Sequence, residues 1–365
     1  MLYFLLSKFL TDSGTSVMTI SESDSFEIQD EDQLDHWLTT PSEALIRFMG
    51  TLRGNLLILG AGGKMGPTLA ARAQFAAAKA QADLRVIAAS RFSDNRSKQW
   101  LNANGVQTET VDLLDRKSIE QLPDADNVIF LVGSKFGTSA NPSQTWMANT
   151  IVPANALERY PNARFVALST GNVYPFSPTE SGGSCVTDPV GPIGEYAQAA
   201  LGRERVFQHY SVANETKTVL VRLNYAVDLR YGVLVDIATK VQAGTPIDLT
   251  CGYLNCIWQG DANDIIIRSL ELADSPPRLI NLTGEDTLSV RRIAEDFGQR
   301  LNRKVTFVGE ESSNALLSNA SETSRLLGSP NTSIDTILQQ TANWVTREGR
   351  LLNKPTHFEV RDGVF

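Results

Sequence analysis

The sequence has few of the residues that build disulfide frameworks or zinc sites. Its 365 residues include three cysteines, and no CxxC spacing or other metal-ligand pattern occurs among them. The three histidines lie far apart in the chain and match no metal-binding motif. We therefore expect no disulfide framework and no metal centre, and a reducing, cytoplasmic location.

Long apolar runs and clusters of basic residues are also lacking. No segment is apolar enough to cross a membrane, and the apolar amino terminus is short and is interrupted by Lys8. The 41 Asp and Glu residues outnumber the 33 Lys and Arg residues, which gives a formal net charge of −8. This charge disfavours a nucleic-acid surface. The composition therefore predicts a globular protein that binds neither nucleic acid nor a membrane.

The most informative stretch is a short apolar run that ends in a cluster of glycines. Residues 55–59 predict a buried strand, and the alanine-rich residues 67–75 predict a helix with Pro67 in its first turn. A strand, a glycine turn and a helix in this order are typical of a site for the phosphates of a nucleotide.

Each glycine of this turn has a physical role. Gly60 permits the tight turn, Gly63 lets the backbone approach a pyrophosphate, and Gly66 lets the helix pack close to the strand. The amino end of the helix offers unpaired N–H groups and a positive dipole to the phosphates. We predict that this loop, with Lys64 and Met65, binds a cofactor.

Strands and helices alternate regularly after the glycine turn. Further strands are predicted over residues 84–89, 106–111, 127–132, 164–168 and 218–223, with helices between them. This alternation predicts an α/β fold, a doubly wound parallel sheet of the Rossmann type with a smaller C-terminal substrate-covering domain. We predict the following parts: a disordered leader over 1–23, an N-terminal helical appendage over 24–54, an NAD(P)-binding Rossmann domain over 55–225, and a substrate domain over 226–365 that also returns elements to the sheet.

Several motifs in the same order resemble those of one family. They are the GxxGxxG spacing from Gly60, the pair Asp112-Leu113 after the third strand, residues 169–174 (STGNVY), and Glu195-Tyr196 followed by Glu204. Over about residues 55–330 the chain resembles the extended short-chain dehydrogenase/reductases, the NAD(P)-dependent sugar epimerase/dehydratase group.

This resemblance implies roles for single residues. Tyr196 would be the general acid/base, and Thr170 would hydrogen-bond the same substrate oxygen while hydride passes to or from a nicotinamide. Asp112 and Leu113 would contact the adenine. Members of the family often pair through helices beside the site, so a homodimer is expected.

One residue departs from the family's YxxxK pattern. Four residues after Tyr196 the chain has Ala200 where the family has lysine. A free tyrosine has a pKa of ~10 and is a poor base at neutral pH without a nearby cation. Arg203 lies on the same helical face, but about 10 Å along the axis at ~1.5 Å per residue. Lys135, on the loop after the fourth strand, is the preferred replacement.

The cofactor and its other contacts are predicted at strand ends. The second strand ends without an acidic residue before Asp94 and carries Arg91, which favours NADP, with NAD as the alternative. Val132 and Gly133, at the end of the fourth strand, are predicted to contact the cofactor, and so is Tyr196.

Polar and aromatic residues after the fifth and sixth strands are candidates for substrate binding. They are Asn172, Tyr174, Asn224 and Arg230. Such groups suit a carbohydrate-like ligand with hydroxyl or acidic groups.

Two functions remain open at this stage. The first is an NAD(P)-dependent epimerase/dehydratase or reductase acting on a sugar-like hydroxyl or ketone. The alternative is a catalytically degenerate NAD(P)-binding protein that acts as a sensor or scaffold. The presence of Tyr196 and Thr170 favours the enzyme, whereas Ala200 favours the alternative.

Overall fold

The computed structural model describes residues 27–93, 95–133, 141–354 and 356–363. Its centre is a seven-stranded sheet. The strands are β1 (Gly54–Leu59), β2 (Leu84–Ser90), β3 (Gln107–Thr110), β4 (Asn127–Phe130), β5 (Arg164–Thr170), β6 (Thr218–Leu223) and β7 (Arg278–Leu282). All neighbouring strands are parallel and lie in the order β3-β2-β1-β4-β5-β6-β7. The chain reverses its direction of winding between β1 and β4, which opens a crevice at their carboxyl ends.

Helices of the described residues follow most of these strands. They are α1 (Glu31–Thr39), α2 (Glu43–Met49), α3 (Gly66–Lys79), α4 (Asn95–Ala103), α5 (Arg116–Glu120), α6 (Pro142–Arg159), α7 (Gly194–Asn214), α8 (Val233–Ala243), α9 (Gln259–Arg268), α10 (Val290–Arg300), α11 (Ser321–Leu327) and α12 (Ile334–Thr346). Two turns of 3₁₀-helix, Gly171–Val173 and Ser269–Leu272, complete them.

Both faces of the sheet are buried, as expected for a doubly wound fold. In β1, Leu56 and Ile58 pack in one core with α3 and α9, whereas Leu57 and Leu59 pack in a second core with α6 and α7. Successive side chains of a strand point to opposite faces, so a strand buried on both faces is a continuous apolar run. This arrangement confirms the predicted Rossmann-type α/β fold.

A third hydrophobic core lies in the C-terminal part of the chain. Apolar residues of α8, α10 and α12 form it, together with Leu34 and Leu38 of α1. The indole rings of Trp37 and Trp258 stack there with centroids 4.0 Å apart. The N-terminal helices therefore join two cores, since Leu45 of α2 packs on the sheet core instead.

A buried ion pair fixes the N-terminal helices to the sheet layer. Arg72 on α3 donates to the Asp264 carboxylate on α9 at 3.1 Å, and Ser42 donates to the same carboxylate at 3.0 Å. Ser42 is also the N-cap of α2, where its hydroxyl accepts from the Leu45 N–H. The residue that caps α2 is thus also bonded to the carboxylate of the buried ion pair.

Some elements differ from their predicted bounds. Strand β4 ends at Phe130 and not at Val132, and α11 was not predicted. Three pairs of two-residue strands were missed: Ser177–Pro178 with Asn314–Ala315, Ala226–Val227 with Ile257–Trp258, and Tyr253–Leu254 with Leu288–Ser289. A fourth pair, Ile247–Asp248 with Phe307–Val308, lies where the sequence predicts short strands, after Pro246 and over residues 305–308. The predicted disordered leader, residues 1–23, lies outside the described residues.

Candidate functional site

The crevice begins at the loop between β1 and α3. Met65 is the N-cap of α3, and it makes no side-chain hydrogen bond to the first turn. The first N–H groups of the helix are therefore left for another acceptor. This is the usual arrangement at a phosphate-binding helix end.

The three glycines have the geometry that their spacing predicts. Gly60 has φ +85°, which only glycine adopts readily. A Cβ on Gly66 would lie 2.4 Å from the Ala61 carbonyl oxygen, so the close contact between loop and helix requires glycine. A Cβ on Gly63 would meet a single neighbour, the Gly60 oxygen at 3.4 Å, so the backbone faces open space. These features fit the pyrophosphate of a dinucleotide.

Two cavities of similar size open from this loop. The first, of about 290 Å³, is bordered by residues predicted to bind the cofactor: Gly60, Gly63, Arg91, Asp112, Leu113, Val132 and Gly133. The side chain of Arg91 is exposed at its edge. The structure thus brings the ends of β1, β2, β3 and β4 together around one space.

The second cavity, of about 300 Å³, shares the glycine loop with the first. Its lining includes Gly60, Gly63, Lys64, Met65, Gly66, Gly133, Thr170, Asn172, Tyr196 and Asn224. The predicted acid/base pair, Thr170 and Tyr196, therefore faces the same space as the glycine loop. Lys64 crosses this space, since its Nζ donates to the Ala226 carbonyl at 2.9 Å and lies 4.3 Å from the centroid of the Tyr231 ring.

Thr170 makes its hydrogen bonds within its own turn. Its hydroxyl accepts from the Asn172 N–H at 3.2 Å and donates to the Asn172 Oδ1 at 3.1 Å. It caps the short 3₁₀-helix after β5. To donate to a substrate oxygen, the hydroxyl must rotate away from Asn172.

The side chains of two predicted substrate contacts, Tyr174 and Arg230, are bonded to other side chains of the protein. The Tyr174 hydroxyl is buried, where it accepts from Arg222 at 2.8 Å and donates to the Asn281 side chain at 2.8 Å. Burial raises the pKa of Tyr174. Arg230 borders neither of the two cavities, and its guanidinium pairs with Asp35 of α1 at 2.9 Å. Tyr174 borders a small cavity of about 40 Å³ beside the second one, and the predicted role of both side chains in substrate binding stays a prediction.

The structure describes the predicted substrate contact Asn224 but not Lys135. Asn224 lines the second cavity, although it is buried and donates to the Asn255 side chain at 2.8 Å. Lys135 lies outside the described residues, so its predicted role stays a prediction.

The structure adds residues that sequence analysis missed. Thr356 lines the second cavity, and both its N–H and its hydroxyl donate to Asp236 on α8, at 2.8 and 2.6 Å. After Thr356 the chain runs along a small cavity of about 40 Å³ that Asn172 and Tyr225 also border. Thr356 lies far from the site in sequence and has no motif around it, so no local pattern could have indicated it.

A positive side chain also lies at the second cavity. Arg203 borders it together with Tyr196, although it is buried and follows Tyr196 by seven residues. Ala200, at the position of the family's lysine, packs with Val173 and Tyr174 instead. The sequence offers Arg203 as one of two substitutes for the lysine, and Lys135 is preferred there because an axial gap of about 10 Å is long even for an arginine side chain.

Neither a metal cluster nor a membrane helix occurs in the described part of the chain. No group of His, Cys, Asp and Glu there is arranged to hold a metal ion. None of its helices is long and apolar enough to cross a membrane.

The sheet order and the glycine loop define a Rossmann-type α/β protein. Residues 56–227 match the model of the NAD dependent epimerase/dehydratase family. Comparison with curated protein sequences finds no significant match.

Solved structures of the same fold cover most of the chain. Pal from Bacillus thuringiensis is 19% identical with a TM-score of 0.67, covering 81% of this chain and 100% of that one. The UDP-Glc/GlcNAc 4-epimerase from Campylobacter jejuni is 20% identical with a TM-score of 0.66, covering 80% and 99%. The UDP-glucuronic acid 4-epimerase from Bacillus cereus, in complex with NAD, is 18% identical with a TM-score of 0.66, covering 81% and 99%. At these identities the likeness shows the fold.

Proposed function

We propose that this protein is an NAD(P)-dependent epimerase/dehydratase or reductase that acts on a sugar-like hydroxyl or ketone by hydride transfer. The observation that carries this proposal is the shared cavity, in which Tyr196 and Thr170 face the glycine loop. A nicotinamide dinucleotide, when bound, supplies the hydride acceptor or donor. The family match of residues 56–227 favours this chemistry.

The roles of the two side chains follow from the reaction. Oxidation of a carbinol releases a hydride from carbon and a proton from oxygen, so a base must stand at the hydroxyl. Tyr196 takes that proton in oxidation and returns it in reduction. Thr170 donates a hydrogen bond to the same oxygen and holds it toward Tyr196.

The second cavity also limits the substrate. Asn172 and Asn224 line it with amide groups that suit hydroxyl groups of a sugar. Asn172 and Tyr225 also border a separate small cavity of about 40 Å³ beside the segment 357–363. The second cavity, of about 300 Å³, has room for a substrate of the size of a single sugar.

For the cofactor we propose a preference for NADP. The exposed Arg91 borders the first cavity, where its guanidinium can bind a 2′-phosphate. The known relatives favour NAD, because the family is NAD dependent and the Bacillus cereus epimerase holds NAD. Arg91 is therefore the residue on which this part of the proposal depends.

We also propose a homodimer through α6 and α7. Trp146, Met147 and Ile151 are large exposed apolar residues on one helix, α6, which packs against α7. Exposed apolar patches often mark protein interfaces. Light scattering should give a dimer mass for the wild type and a monomer mass for a variant with Met147→Lys and Ile151→Lys. The control Val308→Lys, at another exposed position, should leave the dimer intact, and a monomeric wild type would contradict the proposal.

The alternative is a binding protein without catalysis. Ala200 favours it, because the side chain at the lysine position is apolar and buried. Such a protein would bind a dinucleotide and turn nothing over.

One experiment separates the two functions. Fluorescence titration with NADPH and NADH, beside the spectrum of any nucleotide released on denaturation, tests binding. A screen of sugars, keto sugars and sugar acids by dinucleotide absorbance then tests turnover. For the enzyme, Tyr196→Phe should bind the dinucleotide as the wild type does and lower kcat by about 10²–10⁴-fold. Binding without turnover of any substrate would favour the sensor, and absence of binding would contradict both.

A further inference from the structure

Arg203 is an unusual residue of α7, since it is a buried cation held by few contacts. Its side chain is 4% exposed. One guanidinium nitrogen, Nη1, donates to the Val132 carbonyl at 2.6 Å, and Nε is buried without a hydrogen-bond partner. Buried polar groups are usually satisfied, so this Nε requires an explanation.

No carboxylate of the described residues forms an ion pair with Arg203. The neighbouring Glu204 is fully buried and is paired with Arg222 at 2.7 Å. Burial lowers the pKa of Arg203, while the charges of Tyr196 and Glu204 act in the opposite direction. An arginine stays charged in a protein, so a buried cation remains beside the cavity.

The end of β4 leaves room for this guanidinium. A Cβ on Gly133 would lie 2.6 Å from Arg203 Nη1. Any larger residue at position 133 would therefore push the arginine out of its place. Gly133 and the Val132 carbonyl form a cradle that holds Arg203 at the cavity that Tyr196 lines.

We propose that Arg203 is the positioning residue of Tyr196 and replaces the YxxxK lysine in supplying a cation at the tyrosine. This inference rests on the proposed role of Tyr196 as acid/base. The positive charge of Arg203 interacts with Tyr196 and favours the ionised phenol. Alanine at position 200 then does not leave the tyrosine without a cation, because Arg203 supplies one from the next turn of α7.

Other charged and titratable groups face the same space. Lys64 comes from the glycine loop, and Tyr231 and Tyr225 come from the segment after β6. Burial raises the pKa of both tyrosines, so they stay neutral. Lys64 is the competing cation among the described lining residues, although its Nζ is bound to the Ala226 carbonyl. The predicted Lys135 is a further competitor.

The test measures the ionisation of Tyr196 directly. The near-ultraviolet absorbance of tyrosinate is followed with pH in each protein, and the curve of the same protein with Tyr196→Phe is subtracted. For Arg203→Gln we expect a higher Tyr196 midpoint than in the wild type, because loss of a nearby cation disfavours the ionised phenol. Arg203→Lys should restore part of the shift, and Gly133→Ala, which displaces the guanidinium, should shift the midpoint in the same direction as Arg203→Gln.

Matched controls separate charge from fold. Arg205→Gln makes the same change at an exposed position of the same helix and should leave the midpoint unchanged. An unchanged midpoint in Arg203→Gln, or a larger shift in Lys64→Met or Lys135→Met, would overturn the proposal. If Arg203→Gln does not fold, the other two variants still decide. A wild-type midpoint in both Arg203→Lys and Gly133→Ala would overturn the proposal, whereas an upward shift in Gly133→Ala would support it.

The titration needs neither substrate nor dinucleotide, so its outcome is independent of the proposed function. NADH binding, measured on the same samples, shows whether the proposed NAD(P)-dependent function fails independently of the proposal for Arg203. Where turnover is found, the pH at which kcat rises should move upward with the Tyr196 midpoint.

Discussion

Glu204 on α7 is the residue whose loss should weaken the fold most clearly. Its carboxylate accepts from Arg222 Nε at 2.9 Å and Nη2 at 2.7 Å, and from the Ser169 hydroxyl at 2.5 Å. It therefore ties α7 to β5 and β6. Both members of the pair are buried, Glu204 being 0% and Arg222 2% exposed.

We expect Glu204→Ala to lower the free energy of unfolding by about 3–5 kcal/mol. In the variant the Arg222 guanidinium stays buried. It keeps its hydrogen bond to the Tyr174 hydroxyl but loses those to Glu204. Removing one partner of a buried ion pair costs more than removing both, because the remaining charge is uncompensated. Glu204→Leu combined with Arg222→Leu should therefore be more stable than Glu204→Ala.

Urea unfolding followed by circular dichroism measures this difference. The control is Glu322→Ala, which removes the partner of Arg278 at 3.5 Å in an exposed pair. Exposed pairs contribute about 0–1 kcal/mol, so the control should stay near the wild type. A loss below about 1 kcal/mol in Glu204→Ala would refute the reasoning that the pair is a buried tie.

Three further predictions concern the loop, the cofactor and pH. Gly66→Ala should lower the free energy of unfolding by about 1–3 kcal/mol, measured by thermal or urea unfolding, because its Cβ would lie 2.4 Å from the Ala61 oxygen. Gly50→Ala should lower it little, because the atom nearest to its Cβ would be the Arg47 oxygen at 3.4 Å and its φ is −63°. Arg91→Ala should weaken NADPH binding much more than NADH binding in fluorescence titration, and equal losses would contradict the NADP preference. Burial raises the pKa of Asp236, so its contribution to stability is present below the unfolded pKa of ~3.9 and is lost as pH rises through the folded value. Asp236→Asn should therefore gain stability relative to the wild type over that pH interval. A stability difference between the two proteins that does not change with pH would contradict this prediction.

The sheet and its helices could be predicted because their signal is periodic and local. Strand β1 is a continuous apolar run, and α3 begins where the glycine turn ends, so few residues decide each element. The two-residue strands carry no such signal. The pair formed by Ser177–Pro178 and Asn314–Ala315 depends on contacts between distant segments. Strand β4 was predicted too long because the apolar run continues beyond Phe130, where the pairing ends.

The candidate site was predictable where a motif fixes the geometry. The glycines of the β1–α3 loop need only their spacing and the flanking elements. The environment of Tyr174 depends on Asn281, which lies 107 residues away in sequence. Arg230 interacts with α1, and one of its partners, Glu31, is 199 residues distant. A polar residue after a strand can face the ligand or a distant helix, and only the fold decides between them.

In the proposed arrangement the cation comes from Arg203 and not from a lysine at position 200, so the site would keep its chemistry with a different motif. A lysine at position 200 would have to displace the packing of Ala200 with Val173 and Tyr174. An arginine at position 203 avoids this packing, because its long side chain extends to the carboxyl end of β4. It can lie there only because residue 133 is a glycine. The absence of the YxxxK lysine is therefore not by itself an argument against catalysis, since the cation need not come from the same turn of the helix.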